Sequence, residues 1–365
     1  MSIKEKAYFR RNSFTMRIFF LLVYLTCFTV SIAFTQDSTD YKRVKVLPFP
    51  SFGYSPETRG SIGAGCLFSF NMYNDTNTRF SNAKIKFIYT LNKQLIFENV
   101  WNYFFKDEKW FTDGIVHYSI YPDFYFGIGP ETPESNKVLF NSNRFLFQGN
   151  IYKGLGNQLF TGINLKYIDY SRVQNEGTIQ YSELNSISVF GAGLYVLKDT
   201  RNSILTPLEG WYLKGGAGYN FSKSNCFEAS VDGRYYKTWK SRFTLAGRFY
   251  NRMTSGNPIF FDYSIMGGDN IARGYRYGRY RDKNITTLQT EFRAHLFWRI
   301  GIASFAGVSN VFPTISKFDF TQYKVNAGVG LRILVDKKNN TSLRLDYAFG
   351  ESGNGGFYVS FGESF

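Results

Sequence analysis

The residues best equipped for chemistry crowd into twelve positions, IARGYRYGRYRD, from 271 to 282. Four arginines (Arg273, Arg276, Arg279 and Arg281) interleave with Tyr275, Tyr277 and Tyr280 on Gly274 and Gly278. Guanidinium planes and phenol rings on a permissive backbone suit stacking on nucleic-acid bases. They equally suit arginines held by carboxylates in a confined, partly dry space. Other reactive side chains are sparse. His117 and His295 are the only histidines, neither in a recognisable Ser/His/Asn arrangement, and there is no GxSxG. No hydrolytic activity is therefore expected, and the chain is read as a non-enzyme. Cys66 and Cys226 lie 160 residues apart with no CxxC or Cys/His cluster, so neither a disulfide framework nor a zinc site is implied. Two unpaired thiols on the outer, apolar face of the fold are expected, with one bridge between them as the alternative, and no metal or cofactor is expected.

The elements that must position these residues are strands. Aromatic residues make up 19% of the chain, with 39 Phe and 27 Tyr beside 34 Gly and only 9 Pro, a mixture that disfavours helices. Past Thr58 the sequence alternates with period two. In 61–72, Ile62, Ala64, Cys66, Phe68, Phe70 and Met72 share one face, opposite Ser61, Gly63, Gly65, Ser69 and Asn71, with Leu67 the exception. In 324–335, Val325, Ala327, Val329, Leu331, Ile333 and Val335 oppose Lys324, Asn326, Gly328, Gly330, Arg332 and Leu334. One such segment fits a soluble sandwich; fifteen of them, mostly 11 to 15 residues long, fit tilted membrane spans with a hydrated interior. Bacterial single-chain barrels have even strand counts, so a sixteenth strand is expected in 43–56 or in 258–268. The predicted fold is all-β, a transmembrane antiparallel barrel of sixteen strands. The negative mean hydropathy, -0.26, excludes a polytopic helical membrane protein but not such a barrel.

Turns such as LNK (91–93) and SGNG (352–355) are tight, whereas 121–141, 171–183 and 254–284 are long. A loop as long as the last is functional or disordered. It carries the arginine-tyrosine stretch. Alternation also sets the phase of two acids downstream. Glu291 shares a face with Gln289 and Arg293, and Asp346 with Arg344, so both are expected to point inward.

The formal net charge is +15, of which the first 17 residues contribute +4 (Lys4, Lys6, Arg10, Arg11 and Arg17 less Glu5). A basic start, an apolar run from Ile18 to Phe34 and small residues at Ser31 and Ala33 read as a secretory signal over 1–33. A short periplasmic segment, 34–47, and a barrel over 48–365 follow. The final alternating stretch places Phe357, Val359, Phe361 and the terminal Phe365 on one face, interrupted by Glu363. It resembles the C-terminal signal by which outer-membrane barrels are recognised for assembly.

MGGDNIARGYRYGRYRD (266–282) resembles the sixth-loop motif of the BamA/TamA family of outer-membrane assembly barrels, the bacterial surface antigen superfamily. The family's arginine-glycine-aromatic triplet after a glycine pair is matched by Arg273, Gly274 and Tyr275, with Gly267 and Gly268 ahead. PFPSFGYSPETRGSIGAG (48–65) is similar to the start of these barrels, LRLDYAFG (343–350) to their penultimate strand and GFYVSFGESF to their last. The resemblance implies that the long loop folds into the lumen and that strand acids hold its arginine. Asp346 and Glu291 are then the candidate partners. One departure is Gly307, which stands where the family often has an acid; another is the lack of room in 34–47 for POTRA modules.

What the resemblance implies for function is outer-membrane biogenesis, the insertion or translocation of proteins or lipids through a weak seam between first and last strands. Its implied partners are outer-membrane lipids and lipopolysaccharide, periplasmic delivery proteins, and the barrel-assembly machinery for its own insertion. The alternative is a passive transport pore or structural surface barrel that has lost assembly activity. A secreted basic protein binding nucleic acid through 271–282 is disfavoured by the alternation, and no nucleic-acid partner is expected.

Overall fold

The computed structural model describes residues 44–365 except 56–58, 74, 76, 92, 177–180, 182, 223–224 and 337–340. The segment read as a signal (1–33) and residues 34–43 of the segment read as periplasmic lie outside the described residues. Among those described, no helix is long and apolar enough to cross a membrane.

Alternation builds one antiparallel sheet of sixteen strands curled into a nearly closed barrel. In chain order these are β1 (Val44–Ser55), β2 (Arg59–Phe70), β3 (Ser81–Thr90), β4 (Leu95–Phe104), β5 (Trp110–Tyr125), β6 (Val138–Gly154), β7 (Leu159–Asn175), β8 (Ile187–Asp199), β9 (Gly210–Phe221), β10 (Cys226–Trp239) and β11 (Phe243–Gly256). After a loop come β14 (Asn284–Phe297), β15 (Ile300–Phe312), β16 (Lys324–Asp336), β17 (Thr341–Gly350) and β18 (Gly355–Phe361). Two short strands inside that loop, β12 (Ser264–Met266) and β13 (Tyr280–Asp282), pair only with each other. The sixteenth barrel strand is thus the one hidden in 43–56. It starts at Val44, inside the segment read as periplasmic, because Val44–Leu47 ladder onto Phe70–Leu67 of β2.

The exterior is apolar and the interior charged. Ile62, Leu194, Leu288, Val329 and Phe349 stand outward with more than half their surface uncovered, while Glu291 and Asp346 are wholly buried inside. Outward apolar surface over this many strands is stable only against lipid. The strands overrun the expected loops. β5 continues to Tyr125 and β6 begins at Val138, so the loop expected at 121–141 shrinks to 126–137, and β7 runs to Asn175, into the loop expected at 171–183.

Every neighbouring pair from β1 round to β18 is joined by a ladder, but among the described residues none joins β18 back to β1. Across that seam the Phe49 and Phe361 rings meet at 4.6 Å.

Two expectations about side-chain direction fail. Phe357 and Val359 face outward, but Phe361 packs on Phe49 and the strand stops there. Gly362, at φ +78°, turns the last residues into the lumen, where Phe365 packs with Tyr236 and Ala246. Cys226 is free, as is Cys66, but it points into the lumen rather than the membrane, because it shares the inward phase of Glu228 and Asp232.

Candidate functional site

The loop from 257 to 283 leaves the end of β11 and returns to β14 by way of the lumen. The β12–β13 ribbon makes it a hairpin with its tip at 267–279. Gly267 lets the ribbon turn: its φ is +110°, and a Cβ there would strike the carbonyl oxygen of Arg276. Gly268 follows at φ +90°, its N–H donating to the Tyr275 carbonyl at 2.9 Å.

The tip grips the wall through three successive residues. Arg273, 1% exposed, donates from Nη1 to Asp346 Oδ2 at 2.5 Å and from Nη2 to Glu291 Oε2 at 2.6 Å. Its guanidinium also lies 3.5 Å over the Phe305 ring. Gly274, at φ +106°, passes so close to β17 that a Cβ would come within 2.6 Å of the Phe349 carbonyl carbon. Its N–H donates to the Tyr358 hydroxyl at 2.9 Å. Tyr275 donates to the Val325 carbonyl at 2.8 Å and accepts from the Glu351 N–H at 2.9 Å. Burial pushes that hydroxyl up to about 12, so it stays a donor at physiological pH. Arginine, glycine and tyrosine thus supply charge, close approach and a bridging hydroxyl.

The structure brings Arg273 to both inward acids, and the acids hold more than one cation. Asp346 also accepts from Arg332 at 2.6 Å and Arg344 at 3.1 Å; Glu291 accepts from Arg293 at 2.7 Å and Arg332 at 3.2 Å. Arg344 reaches Asp269 of the loop at 2.6 Å, and Arg332 reaches Glu363 of the C-terminal turn at 2.8 Å. Four guanidinium groups (273, 293, 332, 344) thus meet four side-chain carboxylates (269, 291, 346, 363), and Arg293 also donates to the Phe365 carboxyl oxygen at 3.4 Å. Gly307 contributes no acid, and Glu363 brings the fourth carboxylate from the C-terminal turn.

A second anchor grips the opposite wall. The single turn Phe260–Asp262 buries all three residues. Phe261 stacks on Tyr170 of β7 at 3.5 Å between ring centroids, and Phe260 meets Tyr125 edge-on at 4.5 Å. Asp262 accepts from Lys166 at 2.9 Å, Arg252 at 3.0 Å and Asn220 at 2.6 Å. Glu228 shares Lys166 and Arg252. The loop therefore offers a cation to acids on one side and an acid to cations on the other.

The remaining loop arginines tie its outer half to the 126–137 loop and β5. Arg279 donates to the Thr132 hydroxyl and carbonyl at 3.0 and 2.8 Å. Arg281 lies over Phe260 at 4.4 Å and accepts through its carbonyl from the Gly129 N–H at 2.9 Å. Arg276 covers Phe124 at 4.7 Å.

Sequence reasoning missed the second anchor. A phenylalanine pair before an aspartate in one turn has no periodicity to flag it. Glu363 was visible as the break in the last apolar face, a signal that the chain turns inward there.

Residues 97–365 match the model of the Omp85 superfamily domain. Among curated protein sequences, none matches the chain. Among solved structures, the chain is similar to BamA from Haemophilus ducreyi lacking POTRA domains 1–3, at TM-score 0.54 and 10% identity over 88% of this chain and 70% of that one. It is also similar to CdiB from Acinetobacter baumannii, at TM-score 0.54 and 14% identity over 88% of this chain and 60% of that one. At these identities the likeness is one of fold.

Proposed function

The chain belongs to the Omp85 superfamily, outer-membrane barrels involved in protein or lipid translocation or secretion, and on that premise we propose that it acts in outer-membrane biogenesis. In this reading it inserts or translocates proteins or lipids handed to it by periplasmic delivery proteins, and it is itself inserted into the lipid and lipopolysaccharide of the outer membrane by the barrel-assembly machinery. The observation that carries the reading is the seam. Strand edges are templates for pairing, and here two barrel edges, β1 and β18, meet without a ladder among the described residues. β18 is also the shortest barrel strand, at 7 residues. An incoming strand can add to such an edge by backbone hydrogen bonding, with side-chain pockets of little importance to affinity.

The rival reading, a passive pore, is disfavoured by the loop, which occupies the lumen and is charge-paired to both walls. The test is to lock the seam. In a chain with Cys66→Ser and Cys226→Ser, cysteines replace Phe49 and Phe361. The reduced form should restore the levels of other outer-membrane barrels in cells lacking the gene, and the disulfide-bonded form should not. Equal restoration by both forms overturns the seam mechanism.

A further inference from the structure

Between the loop and the β4–β6 wall lies a cavity of about 1280 Å³ whose lining includes Glu98, His117 and Ser119. These three residues carry no part of the loop's anchorage. His117 Nε2 is 3.2 Å from Ser119 Oγ, and His117 Nδ1 is 3.8 Å from Glu98 Oε2. His117 and Ser119 are two apart on β5 and so point to the same side of the sheet, while Glu98 lies directly across from His117 on β4. The sequence alone shows no such grouping, because the acid comes from a neighbouring strand.

We propose that Glu98, His117 and Ser119 form a hydrolytic triad in the barrel lumen that cleaves small carboxylic esters. The order of contacts is the one the chemistry requires: nucleophile to one ring nitrogen, orienting carboxylate to the other. Lys86 holds Glu98 by Oε1 at 3.4 Å, which leaves Oε2 for the imidazole. Separations of this size at rest tighten when substrate excludes water.

The flanking register supplies the other parts. Arg144 on β6 is directly opposite Ser119, lines the same cavity, and its buried Nε has no hydrogen-bond partner among the described residues. Cross-strand neighbours have Cβ atoms about 5 Å apart, so the guanidinium is placed to stabilise negative charge on an attacked carbonyl oxygen. On the other side Ser119 faces Ile96, and Leu146 lies opposite His117. That apolar strip fits a short acyl group. The loop's Arg276 and Tyr277 face the rest of the cavity and suit a polar alcohol.

The reaction balances with water as the second substrate. Ser119 Oγ bonds to the ester carbonyl carbon as its proton passes to His117 Nε2. The bond to the alcohol oxygen then breaks, and that oxygen leaves with the proton from His117. Water attacks the acyl-serine, His117 again takes and returns a proton, and the carboxylic acid is released.

The test uses the purified full-length barrel, folded in detergent. A biotinylated fluorophosphonate should label Ser119, identified by peptide mass spectrometry, and p-nitrophenyl acetate should be hydrolysed. Ser119→Ala should abolish labelling, and His117→Asn should slow both reactions by about 10²- to 10⁴-fold. The rate should also rise with pH through the titration of one imidazole. Heat-modifiable migration checks that each variant is folded. No labelling of the wild-type barrel, labelling of another serine, or an unchanged hydrolysis rate in Ser119→Ala overturns the proposal.

Discussion

Replacing Arg273 with alanine removes two charge-assisted hydrogen bonds, at 2.5 and 2.6 Å, from a site that is 1% exposed. Breaking a buried ion pair by deleting one partner costs about 3–5 kcal/mol, because the partner charge stays buried. Here neither carboxylate is abandoned. Asp346 keeps Arg332 and Arg344, and Glu291 keeps Arg293 and Arg332. The cost should therefore sit near the lower end, about 3 kcal/mol, which shifts the ratio of undocked to docked tip by about 10²-fold at 1.4 kcal/mol per decade. Asp262 still holds the base of the loop, so the tip should loosen without the loop leaving the lumen. Hydrogen exchange measured on peptides covering 267–278 should lose about two orders of magnitude of protection, while peptides covering 260–262 change little. Single-channel conductance should rise modestly. Arg273→Lys should fall between, since an ammonium keeps the charge but not the paired planar donors. Wild-type protection at 267–278 together with wild-type conductance in Arg273→Ala would refute the argument that this residue holds the tip.

Asp262→Ala removes the acceptor shared by Lys166, Arg252 and Asn220 and leaves two cations on Glu228, so thermal melting should show a loss of about 3 kcal/mol or more. Combined with Arg273→Ala the losses should add, since the two anchors share no partner. Only the double variant should show a large step in conductance; an equally large step in either single variant would contradict the two-anchor account. Gly274→Ala forces a side chain onto a backbone at φ +106° and against Phe349, and should lower stability by about 1–3 kcal/mol in the same melt; an unchanged melt would mean the tip does not approach β17 as described.

Much of this architecture is readable from alternation alone. Period-two segments mark the strands, and the same phase that puts Leu345 and Tyr347 outward puts Asp346 inward. Alternation fails where a glycine at positive φ ends it. Gly362 sends Phe365 into the lumen, although the count along the last strand places that ring on the lipid face. What one strand cannot reveal is its register against the next. The contact of Arg332 with Asp346 depends on the register of β16 against β17, whereas the sharing of Lys166 by Glu228 and Asp262 depends on the curl of the barrel and the path of the loop. The Glu98–His117–Ser119 contacts were illegible for the same reason. The sequence shows a histidine two residues before a serine, and only the β4–β5 ladder supplies the acid.

The most direct test of the central claim is to delete the gene and quantify the other outer-membrane barrels and the surface lipids of the cell. The account predicts that at least one class of barrel or lipid falls, and that it recovers when the wild-type chain is restored. Unchanged levels of every outer-membrane protein and lipid would contradict a role in biogenesis.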